Sequence, residues 1–183
     1  MRECAMPRLF VAVDLPETVR ERLVDLCGGV PGARWVPPEQ FHLTLSFLGD
    51  VDGGLGKDVE EALATVSAPA FELILRGVGH FPPRGEPRVL WVGFRASEPL
   101  MALQRVVERV LAQAGCELER RKFHPHVTLA RLKEAPARRV VEWLGTFGGF
   151  ESASFQVSEV LLYSSLLGHA GATHRVERTY PLG

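Results

Sequence analysis

Two copies of one short pattern constrain the fold of this chain more than anything else in it. His42-Leu43-Thr44-Leu45 and His126-Val127-Thr128-Leu129 lie 84 positions apart (42 to 126), each inside an apolar, strand-like stretch. Side chains alternate between the faces of an extended strand, so each histidine points the same way as the threonine two residues on. Leu43, Leu45, Val127 and Leu129 then point the other way, into a core. A single His-x-Thr carries little information, because threonine is a favoured strand residue and histidine is common at strand ends. Two copies in matching surroundings predict one site assembled from two similar halves, with a histidine from each.

The rest of the chain reads as two repeats of one order. In the first half, Arg8–Asp14 is a strand, Pro16 to about Cys27 a helix and Phe41–Leu48 the first motif strand. A helix over about Leu55–Val66 and a strand over Phe71–Val78 complete it. In the second half, a strand over Val89–Phe94 precedes a helix over Leu100–Ala114, which has a strong apolar stripe and is ended by Gly115. A strand over Glu117–Arg121 and the second motif strand, His126–Leu132, come next. A helix over about Ala137–Leu144 and strands over Phe155–Tyr163 and Arg175–Tyr180 follow. Phe71 and Phe155 repeat the spacing of 84, which points to a duplication. Pro82–Pro87 reads as a turn-rich linker between the halves, and Ser164, Ser165, Gly168 and Gly171 as a loop before the last strand.

Strands alternating with helices predict an α/β or α+β fold with two sheets or half-sheets facing across a cleft. The expectation carried forward is α+β, two pseudo-symmetric lobes, each an antiparallel-rich sheet with helices packed outside, facing across a central cleft. The whole chain, 1–183, reads as a single domain of two duplicated lobes, roughly 8–81 and 88–180, with exchange of terminal strands between lobes left open. With 46% hydrophobic and 23% charged residues the chain can bury a sizeable core. A formal net charge of −1 argues against broad coating of duplex nucleic acid and leaves room for RNA at a small basic cleft. Cys4, Cys27 and Cys116 are scattered and form no Cys-x-x-Cys, so neither a disulfide framework nor a zinc knuckle is expected, and a cytoplasmic setting fits. The N-terminal apolar run Leu9–Val13 is too short to span a membrane, and no signal-peptide cleavage pattern follows it.

Two histidines titrating near neutrality can divide acid and base work at one pH. That arrangement suits in-line displacement at phosphorus, where the attacking and leaving oxygens lie on opposite sides. Threonine hydroxyls on the same face supply donors to the non-bridging oxygens, so the reaction needs neither a metal nor another cofactor.

These residues resemble the 2H phosphoesterases, and more narrowly the RNA 2′,3′-cyclic phosphodiesterases, also called 2′-5′ RNA ligases. The resemblance spans nearly the whole chain, through Arg8–Pro16, Trp35–Gly49, Phe81–Pro83, Val89–Gly93 and Phe123–Arg131. It implies opening of 2′,3′-cyclic phosphate ends of RNA to 2′-phosphates, with His42 as proton donor to the departing 3′ oxygen. His126 is then the proton acceptor that activates water, while Thr44 and Thr128 hold the phosphate. It also brings in Arg131 for substrate binding. The symmetry of the motifs alone does not say which histidine gives the proton.

Strict alternation puts Arg131 on the face opposite His126, and Phe47 has the same difficulty relative to His42. Phe47 is read either as core or as a stacking surface for a terminal base. Trp35, Phe81, Phe123 and Tyr163 are further stacking candidates. Arg120-Arg121-Lys122 lies where an RNA backbone could enter. Arg138 and Arg139 read as the exposed side of a helix, and His80, His169 and His174 as surface or loop residues. His124 with His126 could chelate a metal, which makes a metal-dependent phosphoesterase one alternative. An RNA-end binding module with vestigial catalysis is another, and reversible 2′-5′ ligation is a third use of the same site. The expected partner is RNA or a nucleotide with a cyclic phosphate end. One chain supplies both motifs, so a monomer without an obligate protein partner is expected.

Overall fold

The computed structural model describes residues 8–168 and 171–183, so His169 lies outside the described residues. Among the described residues, ten strands and four α-helices follow in chain order. They are β1 Arg8–Asp14, α1 Glu17–Val24, β2 Ala33–Trp35, β3 His42–Asp50, α2 Gly53–Leu63, β4 Phe71–Leu73, β5 Leu75–Phe81 and β6 Val89–Phe94. Then come α3 Glu98–Gln113, β7 His126–Leu132, α4 Ala137–Phe147, β8 Phe155–Val157, β9 Glu159–Gly168 and β10 Gly171–Pro181. Two four-stranded sheets run in the orders β10-β9-β1-β3 and β2-β7-β6-β5, and β4 pairs with β8. The strand pairings are antiparallel.

The alternation of β1 shows how the layers arise. Leu9, Val11 and Val13 face a core shared with Val19 and Leu23 of α1, Val59 and Leu63 of α2, and the buried stripe of α3. Phe10 and Ala12 point the other way and join Leu161 and Tyr163 of β9 in a smaller cluster. Burying one apolar face of each element drives this layering, with the helices covering one side of the sheets. The caps explain two helix starts that periodicity misses. Asp52 accepts from the backbone N–H groups of Gly54 and Leu55 at 2.9 Å each, which begins α2 at Gly53 and not near Leu55. Ser97 accepts from the N–H of Leu100, and α3 begins at Glu98.

The two halves exchange strands. The predicted strand Phe71–Val78 is broken at Ile74: β4 pairs with β8, whereas β5 joins β6 and β7. The predicted strand Phe155–Tyr163 breaks at the matching place, Ser158, and β9 joins β1 and β3. Phe71 pairs with Val157, Glu72 with Gln156 and Leu73 with Phe155, so the two segments 84 positions apart meet about a local twofold. In consequence Pro82–Pro87 is no linker between lobes but the connection of two neighbouring strands, β5 and β6, of one sheet. The expected loop around Ser164 and Ser165 is strand, with both serines buried in β9. Glu117–Arg121 forms no strand; the chain from Cys116 to Pro125 runs outside helices and strands.

Candidate active site

The motif strands β3 and β7 touch across the two sheets. His42 and Thr44 are half-buried beside fully buried Leu43 and Leu45, and His126 and Thr128 stand likewise beside Val127 and Leu129. Both histidines and both threonines line one cleft of about 760 Å³, together with Phe47 and Arg131. The face difficulty of those last two is removed by a pair of β-bulges. Thr44 pairs with Ala12 and Ser46 with Val11, which leaves Leu45 unpaired; Thr128 pairs with Trp91 and Ala130 with Leu90, which leaves Leu129 unpaired. One extra residue resets the alternation. Leu45 and Ser46 are both buried, as are Leu129 and Ala130, and Phe47 and Arg131 turn to the cleft. The freed carbonyl of Leu129 accepts from the N–H of Val36 at 2.8 Å.

Each imidazole is oriented by its own strand entry. His42 Nδ1 lies 2.7 Å from the carbonyl oxygen of Gln40, and His126 Nδ1 lies 2.7 Å from that of His124. A carbonyl only accepts, so Nδ1 carries the hydrogen and Nε2 is left to exchange protons. Burial pushes His42 down from 6.5 to about 4, against the restoring effect of the Gln40 bond. The charges of His174 and His126 push it further, and Asp14 opposes them. Burial also lowers His126, opposed by its bond to the His124 carbonyl and reinforced by the charges of His124 and Arg121. Burial thus depresses both, and the nearby fixed charges differ in sign: a carboxylate beside His42, a guanidinium beside His126.

Aromatic rings support both histidines. His42 packs against Phe10 at 4.9 Å and Tyr163 at 6.0 Å between ring centroids, and His126 against Phe81 at 4.9 Å. His174 is no surface residue: it lines the same cleft from β10, edge-on to His42 at 5.1 Å. Sequence reasoning missed it because β10 reaches β1 only through β9. His80 likewise sits in β5, with Nδ1 buried. The rings of His124 and His126 stand 6.2 Å apart, and no group of three or more His, Cys, Asp or Glu suited to a metal gathers among the described residues.

Trp91 lies over Gly79, where an added Cβ would come within 2.2 Å of the indole. Gly79→Ala therefore displaces the ring that flanks His124 at 4.9 Å. The expected outcome is a loss of about 1–3 kcal/mol in chemical denaturation, from overpacking.

Residues 14–169 match the family model described as the 2′-5′ RNA ligase superfamily. The chain belongs to that superfamily. It is 39% identical over 151 residues to the RNA 2′,3′-cyclic phosphodiesterase of Aeropyrum pernix, covering 80% of this chain and 84% of that protein. The fold is similar to the crystal structure of TT0787 of Thermus thermophilus, with a TM-score of 0.80 and 30% identity over 95% of this chain and 97% of that one. It is also similar to E. coli LigT complexed with 3′-AMP, with a TM-score of 0.76 and 28% identity over 96% and 98% of the two chains. These likenesses extend over both sheets of this 2H phosphoesterase fold. No helix among the described residues is long and apolar enough to cross a membrane.

Proposed function

We propose that this chain opens 2′,3′-cyclic phosphate ends of RNA to 2′-phosphates, using its own side chains and no metal. The observation that carries the reading is the single cleft in which two Nδ1-anchored histidines and two threonines meet from opposite sheets. Its relatives named RNA 2′,3′-cyclic phosphodiesterase support the substrate class, and the LigT complex with 3′-AMP supports a nucleotide ligand. A water oxygen attacks phosphorus and gives its proton to His126 Nε2. The bond from phosphorus to the 3′ oxygen breaks, and that oxygen takes a proton from His42 Nε2. Thr44 and Thr128 donate to the non-bridging oxygens, Arg131 pairs with the phosphate and Phe47 supports the terminal base. With an RNA 5′-hydroxyl in place of water, the same displacement makes a 2′-5′ linkage.

The choice of His42 as donor follows the family pattern. The Asp14 carboxylate raises His42 and the Arg121 guanidinium lowers His126, but burial and the facing His174 hold His42 of the free protein at about 4, so the product isomer decides the polarity. We take the described chain as one catalytic domain working as a monomer, since each sheet supplies one His/Thr pair. Cys27 and Cys116 are free thiols, and burial pushes Cys27 up to about 11, which suits a reducing, cytoplasmic setting.

The test is incubation with a 2′,3′-cyclic nucleotide and identification of the product isomer. A 2′-phosphate formed equally well in EDTA is expected. A 3′-phosphate reverses the roles of the histidines, activity lost to the chelator requires a metal, and no turnover of mononucleotide or RNA ends overturns the reading.

A pH prediction follows from the lowered histidines. The free enzyme needs one proton shared between two imidazoles that both titrate below 6.5. Above that point the singly protonated form declines with each rise in pH, so kcat/KM should fall about tenfold per unit between pH 7 and 9. Asp14→Asn removes a charge that raises His42 and should move this descending limb to lower pH.

A further inference from the structure

A second cavity, of about 450 Å³, shares Thr44, Phe47, Glu119, His126, Thr128 and Arg131 with the candidate catalytic cleft and continues past the 116–125 loop to α3. Its volume lies in the range of roughly 300–1,000 Å³ usual for small-molecule sites. Gln104 is the residue that the fold leaves unexplained. The inward face of α3 is otherwise Leu100, Leu103, Val107, Val110 and Leu111, and Gln104 stands among them at 4% exposure. Gln104 lines the cavity, its carboxamide makes no hydrogen bond with another described residue, and its polar atoms stay accessible, so they are free to bond a polar ligand.

The surroundings restrict the ligand. A carboxamide presents a donor and an acceptor side by side, the pattern that the edge of a nucleobase complements. Phe123 lines the cavity, and Glu108 and Glu119 offer acceptors suited to the amino groups of a base and hostile to a bare phosphate. The cations are Arg121, held 5.2 Å from the Phe81 ring centroid, and Lys122. An RNA strand ending in a cyclic phosphate has its only neighbour on the 5′ side of the terminal ribose, joined by one phosphodiester.

We infer that this cavity is a base-binding subsite for the nucleotide on the 5′ side of the cyclic end. Gln104 reads the base edge, and Arg121 and Lys122 hold the connecting phosphodiester. The assignment to the penultimate nucleotide rests on the catalytic reading above, and makes the enzyme selective for oligonucleotide ends over cyclic mononucleotides.

The experiment compares kcat/KM for a 2′,3′-cyclic mononucleotide with that for a dinucleotide carrying the same cyclic end, in the wild type and in Gln104→Leu. In parallel, calorimetry measures binding of an unreactive dinucleoside monophosphate to both proteins, with folding checked by thermal denaturation. The wild type should favour the dinucleotide, and Gln104→Leu should reduce that preference by up to about tenfold, the range of one net hydrogen bond, with mononucleotide turnover unchanged. Affinity for the unreactive dinucleotide should fall in parallel. A wild type with no dinucleotide preference, or a Gln104→Leu protein with unchanged preference and affinity, overturns the subsite. Failure of mononucleotide turnover counts against the catalytic reading alone, and the binding arm then decides the subsite.

Discussion

His42→Ala and His126→Ala should each lower kcat/KM on a 2′,3′-cyclic nucleotide by about 10²–10⁴, the usual contribution of a positioned acid or base. Each ring meets the cleft through Nε2 and is held through Nδ1 by a backbone carbonyl two residues earlier. Alanine therefore removes the atom proposed to transfer the proton while leaving the ladder of β3 or β7 intact. His42 also packs against Phe10 and Tyr163, and His126 against Phe81, so a modest loss of thermal stability accompanies the change. Circular dichroism separates the two effects: a folded protein without activity is the expected result. The double variant should lose little more than the more damaging single one, because one displacement needs both proton transfers. Near wild-type turnover in either folded variant removes that histidine from the chemistry.

Thr44→Val and Thr128→Val should each lower kcat by about 10²-fold or more, as loss of one preorganised donor to a developing oxyanion does. Valine keeps the shape and the β-branched strand preference of threonine, so the paired position opposite Ala12 or Trp91 is retained. KM should move less than kcat, because the hydroxyl matters most when negative charge builds on the phosphate oxygens. A change confined to KM would make the threonines ground-state binders, and no change in either constant would leave them as strand formers only. Single-turnover kinetics with the cyclic mononucleotide distinguishes these results.

The local part of the fold was legible in the residues. β1, β6 and β7 coincide with the strands read from the residues, because a short apolar run, buried on both faces in β1, declares itself over six or seven residues. The helices were legible for the same reason, with their starts displaced where Asp52 and Ser97 cap the first turn. Strand partnership was not legible. Phe71–Val78 is one apolar stretch by composition, yet β4 and β5 go to different sheets, a choice made by residues some eighty positions away. The position of His174 was hidden for the same reason, because it depends on a hairpin returning beside β1. The loop 116–125 carries polar residues into a cavity, and no periodicity announces a segment held by its surroundings.

The sequence alone determined the candidate site residues: two His-x-Thr pairs on alternating strands, one from each half of the chain, with side-chain direction set by the period of the extended chain. The tertiary structure decided how those pairs become one site. Exchange of β5 and β9 binds the sheets together, and the bulges at Leu45 and Leu129 bring Phe47 and Arg131 to the cleft against strict alternation. It also ended the equivalence of the histidines, by setting Asp14 near one and Arg121 near the other. Alternation is a property of neighbouring residues, whereas a bulge, a strand exchange and an electrostatic environment exist only once distant segments are packed against one another.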